Sequence, residues 1–131
     1  MHYVLVVGND DEEISFIEEA FLAQPGNFSI KTFLSANLLL DHLRRVERKD
    51  FPSLIIVNNY LPDMDGLALL EKIKEDPFYK LIPVAIMAGF ASANTIKQYY
   101  LAGANCFYKK PLDKDEWNHM ADCLITLFCR G

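Results

Sequence analysis

A chain of 131 residues with 51% hydrophobic side chains is large enough to bury one core and leaves little room for a second domain. The 24% of charged residues argues against disorder, and the net charge of −5 argues against a nucleic-acid partner, which needs a basic face. The three cysteines show no paired spacing, so we expect free thiols and a cytoplasmic, reducing location. No apolar run approaches the length of a membrane span, and no membrane partner is expected.

The first half of the chain alternates apolar runs of strand length with helical patterns. Residues 3–7 predict a buried strand, and the turn residues 8–11 follow it. Apolar side chains then recur at three- and four-residue spacing, which indicates an amphipathic helix; they are Ile14, Ile17 and Phe21. A second strand is predicted at 28–34. The next helix has an apolar stripe of Ala36, Leu39, Leu43 and Val46, and the charged run 44–50 is interpreted as its solvated end.

The second half repeats this alternation. Residues 54–57 are the most apolar strand, a polar segment follows at 58–66, and a third helix carries Leu67, Leu70 and Ile73. Three further elements are predicted, namely a strand at 84–87, a helix at 92–101 that ends at Gly103, and a strand at 104–109. Asp113 and Glu116 form a capping pattern before the last helix, whose apolar stripe contains Trp117, Met120, Ala121, Leu124, Ile125 and Phe128.

Five strands that alternate with five helices predict one α/β domain over residues 1–131. Such alternation implies parallel strands with right-handed crossovers and helices on both faces of the sheet. The expected architecture is a doubly wound, flavodoxin-like sheet in the order 2-1-3-4-5. Ligand sites in such sheets lie beyond the carboxyl ends of the strands, at the switch between strands 1 and 3.

Four segments in the predicted order resemble a known family. They are Pro52 to Gly66, which reads PSLIIVNNYLPDMDG, then Ile82-Pro83-Val84, then Ala102-Gly103-Ala104-Asn105, and finally Lys110-Pro111. Together they resemble the receiver domains of response regulators in two-component signalling, the CheY-like domains, over essentially the whole chain. Each fragment alone is a weak signal, but their order and spacing agree with the alternation of strands and helices.

The resemblance implies a site for phosphoryl transfer onto an aspartate, assisted by Mg²⁺, a hydroxyl group and a lysine. The acceptor position is Asn58, the metal-binding acidic pair is Gly8 and Asn9, the hydroxyl position is Ala88, and the lysine is Lys110. An amide is a poor nucleophile, glycine offers no ligand, and Mg²⁺ prefers anionic oxygens. We therefore predict a degenerate pseudo-receiver with no catalytic residue, no bound metal and no cofactor.

Two functions remain open. The favoured prediction is a stand-alone, non-enzymatic receiver that acts by protein–protein interaction without phosphorylation. The alternative is a working phosphoacceptor with a rebuilt site, which uses Asp10 and Asp11 or an aspartate made by deamidation of Asn58. Capping of the first helix by Asn9 or Asp10 is the simpler interpretation of that acidic segment.

The expected partner is a histidine kinase, another signalling protein, or a second copy of the chain. In the family the usual surface is formed by helix 4, strand 5 and helix 5, where Phe107 matches the switch aromatic. Tyr99 and Tyr100 are adjacent on helix 4, so they cannot both face the core and at least one should be exposed. Replacing both tyrosines with alanine is expected to weaken association without unfolding the protein.

Three further expectations concern the pocket. The resemblance implies a cis peptide between Lys110 and Pro111. The Lys110 side chain should hydrogen-bond Asn58 or a nearby carboxylate or carbonyl oxygen. Aspartates at positions 8, 9 and 58 together should restore metal binding and some phosphoryl transfer, and Ala88→Thr should add a further increment.

Overall fold

The computed structural model describes residues 2–129, which form a five-stranded parallel sheet in the order β2-β1-β3-β4-β5. The strands are β1 (His2–Val7), β2 (Phe28–Phe33), β3 (Leu54–Asn58), β4 (Val84–Ala88) and β5 (Cys106–Lys109). The helices are α1 (Asp11–Leu22), α2 (Ala36–Arg45), α3 (Gly66–Glu75), α4 (Ala93–Leu101) and α5 (Lys114–Phe128). The predicted fold class and strand order are confirmed.

The sheet separates two apolar layers, which explains why the central strands are apolar without interruption. Val4 and Val6 of β1 face one side with α1 and α5, whereas Leu5 and Val7 face the other side with α2 and α3. Every residue of β3 and β4 is buried. A parallel strand that is covered on both faces needs apolar side chains at consecutive positions, and this is the pattern that the sequence shows.

Side-chain caps define where the helices begin. Asp10 precedes α1 and accepts hydrogen bonds from the backbone amides of Glu12 and Glu13, so the predicted capping role belongs to Asp10. Asp113 caps α5, but the Glu116 carboxylate accepts from the Leu112 amide, one residue before the position that the capping pattern implies. Gly103 ends α4 with a φ of +108°, a conformation that favours glycine.

Two predicted boundaries differ from the structure by more than one residue. The charged run 44–50 is not a continuous helix end, because α2 stops at Arg45 and Val46 is extended before a short 3₁₀ turn at Arg48–Asp50. β5 begins at Cys106 because the Asn105 side chain accepts hydrogen bonds from the Val84 amide and the Lys74 ammonium. Within residues 2–129, no helix combines the length and apolar character needed to cross a membrane.

Candidate functional site

The carboxyl ends of four neighbouring strands bring the predicted site residues to one edge of the sheet. Gly8 follows β1, Asn58 ends β3 and Ala88 ends β4, in registers that place the ends of neighbouring strands side by side. A Cβ atom on Gly8 would lie 3.3 Å from the Cβ of Asn58. The Lys110 amide donates to the Ala88 carbonyl at 2.9 Å, which holds the lysine at the same edge.

Asn58 has hydrogen-bond partners for both ends of its amide. Its side-chain oxygen accepts from the Tyr60 backbone amide at 3.1 Å, and its Nδ2 donates to Oε2 of Glu13 at 3.1 Å. Only 6% of Asn58 is exposed, and it is the one buried polar residue in the part of the chain that the structure describes. A carboxylate at this position would present an oxygen to the Glu13 carboxylate instead of a donor, so the surroundings favour the amide.

Glu13 joins Asn58 to Lys110. The Lys110 ammonium lies 2.5 Å from Oε1 of Glu13, while the second carboxylate oxygen accepts from Asn58. The side chains of Glu13 and Lys110 are only 13% and 30% exposed, so the pair is partly shielded from solvent. Lys110 therefore has a nearby carboxylate as its ion-pair partner, but the angles at Oε1 of Glu13 are not those of the expected hydrogen bond.

Sequence reasoning missed Glu13 as a site residue and considered only Asp10 and Asp11 of this acidic segment for the pocket. The spacing of residues in α1 could have predicted this role. Glu13 lies four residues before Ile17, one of the core residues of α1, and therefore on the same face of the helix. A side chain one turn before a buried residue, at the helix end above the sheet edge, points toward the carboxyl ends of the strands.

The peptide bond before Pro111 is trans, so the predicted cis bond is wrong. The trans form is the ordinary state of most X-Pro bonds in folded proteins. The long Lys110 side chain reaches Glu13 from this backbone conformation, and no cis bond is needed to aim the ammonium into the pocket.

The residues at the site do not fit a Mg²⁺ ion. Gly8 has no side-chain ligand, the nitrogen of the Asn58 amide faces Glu13, and Asp10 is engaged as the cap of α1. The Glu13 carboxylate is paired with Lys110, which offsets the negative charge that a cation would require. In the described part of the chain, no group of three or more His, Cys, Asp or Glu side chains is arranged to hold a metal.

Two cavities meet at Glu13. The inner cavity beside Gly8 and Asn58 has a volume of about 10 Å³, which is about the space of one water molecule. The outer groove between α1 and the start of α5 has a volume of about 400 Å³ and contains the rings of Phe16 and Trp117, whose centroids are 5.5 Å apart. Glu13 is the residue of this site that lines both cavities.

The loop between β3 and α3 is held from two sides. The Asp63 carboxylate accepts from the Ala36 and Asn37 amides at 3.0 and 2.8 Å, at the start of α2. Burial alone would raise the pKa of Asp63, but these backbone hydrogen bonds lower it. A Cβ on Gly66 would lie 3.1 Å from the Tyr99 hydroxyl, so the missing side chain lets α4 approach the loop.

On α4 the two adjacent tyrosines have different environments. Tyr99 is 5% exposed and packs against Phe107 with ring centroids 5.4 Å apart, and burial raises its pKa. Tyr100 is 48% exposed, and its hydroxyl accepts from the Phe107 amide at 3.0 Å. The prediction that at least one of them is exposed is confirmed. Because Tyr99 is part of the core, replacing both tyrosines should also lower stability, and Tyr100 is the better position for testing the surface.

Comparison with known proteins agrees with the fold and the arrangement of the strand ends. The model of the response regulator receiver domain matches residues 4–122. The DNA-binding transcriptional regulator NtrC of Klebsiella pneumoniae is 33% identical over 118 residues, which cover 90% of this chain and 24% of NtrC. Response regulator Rre1 of Synechocystis is 28% identical over 112 residues, which cover 86% of this chain and 47% of Rre1. The chain thus spans about half or less of these relatives.

Solved structures share the fold at lower identity. The Mn²⁺-bound form of response regulator Rcp1 has a TM-score of 0.84 at 19% identity and covers 96% of this chain and 93% of its own. The phosphorylated cyanobacterial phytochrome response regulator RcpA has a TM-score of 0.86 at 23% identity, with coverage of 98% and 95%. The extent of the family match over the chain, together with the strand order, shows that this chain belongs to the response regulator receiver domain family of two-component signalling.

Proposed function

We propose that this receiver domain is a pseudo-receiver, which signals by protein–protein contact and not by a phosphorylated aspartate. The observation that carries the proposal is the orientation of Asn58, whose Nδ2 donates to Glu13 at the position where an acceptor oxygen is expected. The amide nitrogen has a delocalised lone pair, and the amide oxygen is engaged by the Tyr60 amide. Neither atom has the properties of a nucleophile for phosphoryl transfer.

The lack of anionic metal ligands and of a hydroxyl group at the site supports the same proposal. Phosphoryl transfer depends on positioning and on neutralising the charge of the phosphoryl group. Gly8 and Asn9 supply no anionic ligands for a metal, and Ala88 supplies no hydroxyl. The remaining cation, Lys110, is paired with Glu13. We therefore place the protein among non-enzymatic interaction modules.

Its three cysteines are all unpaired within the described residues, which fits a cytoplasmic location.

The rebuilt-site alternative has less support. Asp10 holds the first turn of α1 with its carboxylate, and Asp11 is exposed in that turn. Deamidation of Asn58 requires the backbone of the following residue to attack the side-chain amide. That amide is buried and hydrogen-bonded at both ends, and the following residue is Asn59 rather than glycine.

A labelling experiment tests the central proposal. Wild-type protein is incubated with acetyl phosphate and Mg²⁺, or with a histidine kinase, and its intact mass is measured. We expect no base-labile phosphoryl group on the protein. Stoichiometric label would overturn the proposal, and mapping it to Asp10, Asp11 or residue 58 would support the rebuilt-site alternative.

For the partner surface we propose the face formed by α4, β5 and α5. Tyr100 and Leu101 are both exposed on α4, next to buried Tyr99 and the partly buried Phe107 that packs against it. Aromatic side chains are enriched at protein interfaces. The occupant is a histidine kinase, another signalling protein or a second copy of the chain.

A double variant that leaves Tyr99 in place tests this surface. Tyr100→Ala with Leu101→Ser should weaken self-association measured by sedimentation, or binding to a purified partner, by about tenfold, which corresponds to about 1.4 kcal/mol. Leu38→Ser is the matched control, because Leu38 is an exposed leucine on α2, away from this face. Equal association of the double variant and the control would exclude the α4, β5 and α5 face.

A further inference from the structure

The Glu13 carboxylate occupies the space between Asn58 and Lys110. Each of its oxygens has one of these side chains as a partner, at 2.5 Å for Lys110 and 3.1 Å for Asn58. A phosphoryl group bound at the end of β3 would need the same two neighbours, an ammonium for its charge and residue 58 for its attachment. The carboxylate thus takes the contacts that an incoming anion would use.

The backbone of α1 holds Glu13 in this place. Its own amide donates to the Asp10 cap at 3.1 Å, and Ile17, one turn further along the helix, is buried. The helix therefore fixes the backbone from which the Glu13 side chain reaches Asn58 and Lys110.

Space and charge both oppose a second anion. The cavity that remains beside Gly8, Asn58 and Glu13 has a volume of about 10 Å³, enough for about one water molecule. Glu13 lines both this cavity, whose other walls are mainly apolar core side chains, and the open groove between α1 and α5. A phosphate that reached the pocket would meet the Glu13 carboxylate, and two anions at short range repel each other strongly where solvent is largely excluded.

From these contacts we infer that Glu13 is an internal anion that closes the pocket to phosphate, as a second block that is independent of the missing acceptor aspartate. The inference deepens the proposed function and rests on it. It also changes the expectation drawn from the sequence, because aspartates at positions 8, 9 and 58 leave Glu13 paired with Lys110. Efficient phosphoryl transfer then requires removal of Glu13 as well.

The first test measures binding of inorganic phosphate to the full chain by NMR, with the side-chain signals of Asn58 and Lys110 as reporters. Glu13→Ala should bind phosphate at least about tenfold more tightly than wild type. Glu12→Ala is the matched control, since it removes the same charge from an exposed position on the same helix turn. Glu12→Ala should bind phosphate as weakly as wild type, and Glu13→Ala with Lys110→Met should lose the gain.

Equal phosphate binding by Glu13→Ala and Glu12→Ala would overturn the inference, as would a gain that persists without Lys110. If Glu13→Ala does not fold, Glu13→Gln keeps the volume and removes the charge. It should then bind phosphate at least about threefold more tightly than Glu12→Gln, and equal binding by these two variants would overturn the inference.

The second test compares labelling by acetyl phosphate with Mg²⁺ in two chains. One carries Gly8→Asp, Asn9→Asp and Asn58→Asp, and the other carries Glu13→Ala in addition. Folding is checked by circular dichroism, because a Cβ at position 8 lies 3.3 Å from the Cβ of residue 58. The chain without Glu13 should be labelled at least about tenfold faster, and equal labelling rates in the two chains would overturn the inference. If neither chain is labelled, the inference is decided by the phosphate-binding measurement on Glu13→Ala and Glu12→Ala.

These outcomes are distinct from failure of the proposed function. Label on the wild-type protein would contradict the pseudo-receiver proposal, whatever the phosphate affinities of the Glu13 variants. Unchanged phosphate binding on removal of Glu13 would contradict the internal anion and leave the argument from Asn58 as it stands.

Discussion

The pocket at the ends of β1 and β3 and the face beside α4 and β5 are built on different interactions. In the pocket, Asn58, Glu13 and Lys110 contact one another through charge and hydrogen bonds. On the α4 face, Phe107 packs against Tyr99 with ring centroids 5.4 Å apart, and a single hydrogen bond joins its amide to Tyr100. The difference teaches that the proposed loss of phosphoryl chemistry in the pocket requires no change in the shape of the face, because the two regions are maintained mainly by different interactions.

The largest expected effect distinguishes the two tyrosines of the α4 face. Tyr99→Ala should lower the free energy of unfolding by about 3–5 kcal/mol, since it leaves a cavity in the core. Tyr100→Ala should cost only about 1 kcal/mol, the value of the hydrogen bond from the Phe107 amide. Urea denaturation measures both, and Tyr99→Phe is the control that keeps the ring. Equal costs for the two alanine variants would contradict the view that packing of Tyr99 determines the face.

A smaller effect is expected in the pocket. Asn58→Asp should cost about 1–3 kcal/mol at pH 7, because a buried donor to Glu13 is replaced by a second carboxylate. The introduced carboxyl has a pKa raised by its neighbour, so the stability of this variant relative to wild type falls as pH rises through the usual carboxyl range.

Urea denaturation at pH 7 and at about pH 4.5 measures this dependence. The cost of Asn58→Asp should shrink at the lower pH, where the introduced carboxyl takes up a proton. Adding Glu13→Gln to the variant should also remove most of the cost at pH 7. A cost that is the same at both pH values would show that charge does not maintain the pocket.

The smallest expected effect compares two ion pairs. A double-mutant cycle with Glu13→Gln and Lys110→Met should give a coupling energy of about 1 kcal/mol, because the pair is partly buried. The exposed pair of Asp41 and Arg44 on α2 is the control, and its coupling should stay below about 0.5 kcal/mol. The same coupling in both pairs would mean that the Glu13 contact behaves as an ordinary surface salt bridge.

The fold could be predicted from the sequence because its signals are local. Uninterrupted apolar strands and amphipathic helices in strict alternation leave few topologies, and the order 2-1-3-4-5 is a common solution. The same topology brought Gly8, Asn58, Ala88 and Lys110 to one edge.

What could not be predicted depends on how each helix is rotated against the sheet. That rotation directs Glu13 into the pocket and buries Tyr99 instead of Tyr100, and the sequence pattern alone does not specify it. The Lys110–Pro111 bond is trans although the family resemblance implied cis, because the lysine finds a partner without that geometry.

Gly66, the first residue of α3, should tolerate substitution less well than the loop that precedes it. A Cβ there would lie 2.9 Å from the Cα of Asn59 and 3.1 Å from the Tyr99 hydroxyl, and the first of these neighbours is backbone that cannot rotate away. In a saturation library selected only for folding, position 66 should accept little besides glycine, whereas exposed Pro62 in the same loop should accept many side chains. Glycine at this position of the family motif is therefore required by volume, independently of any phosphoryl chemistry.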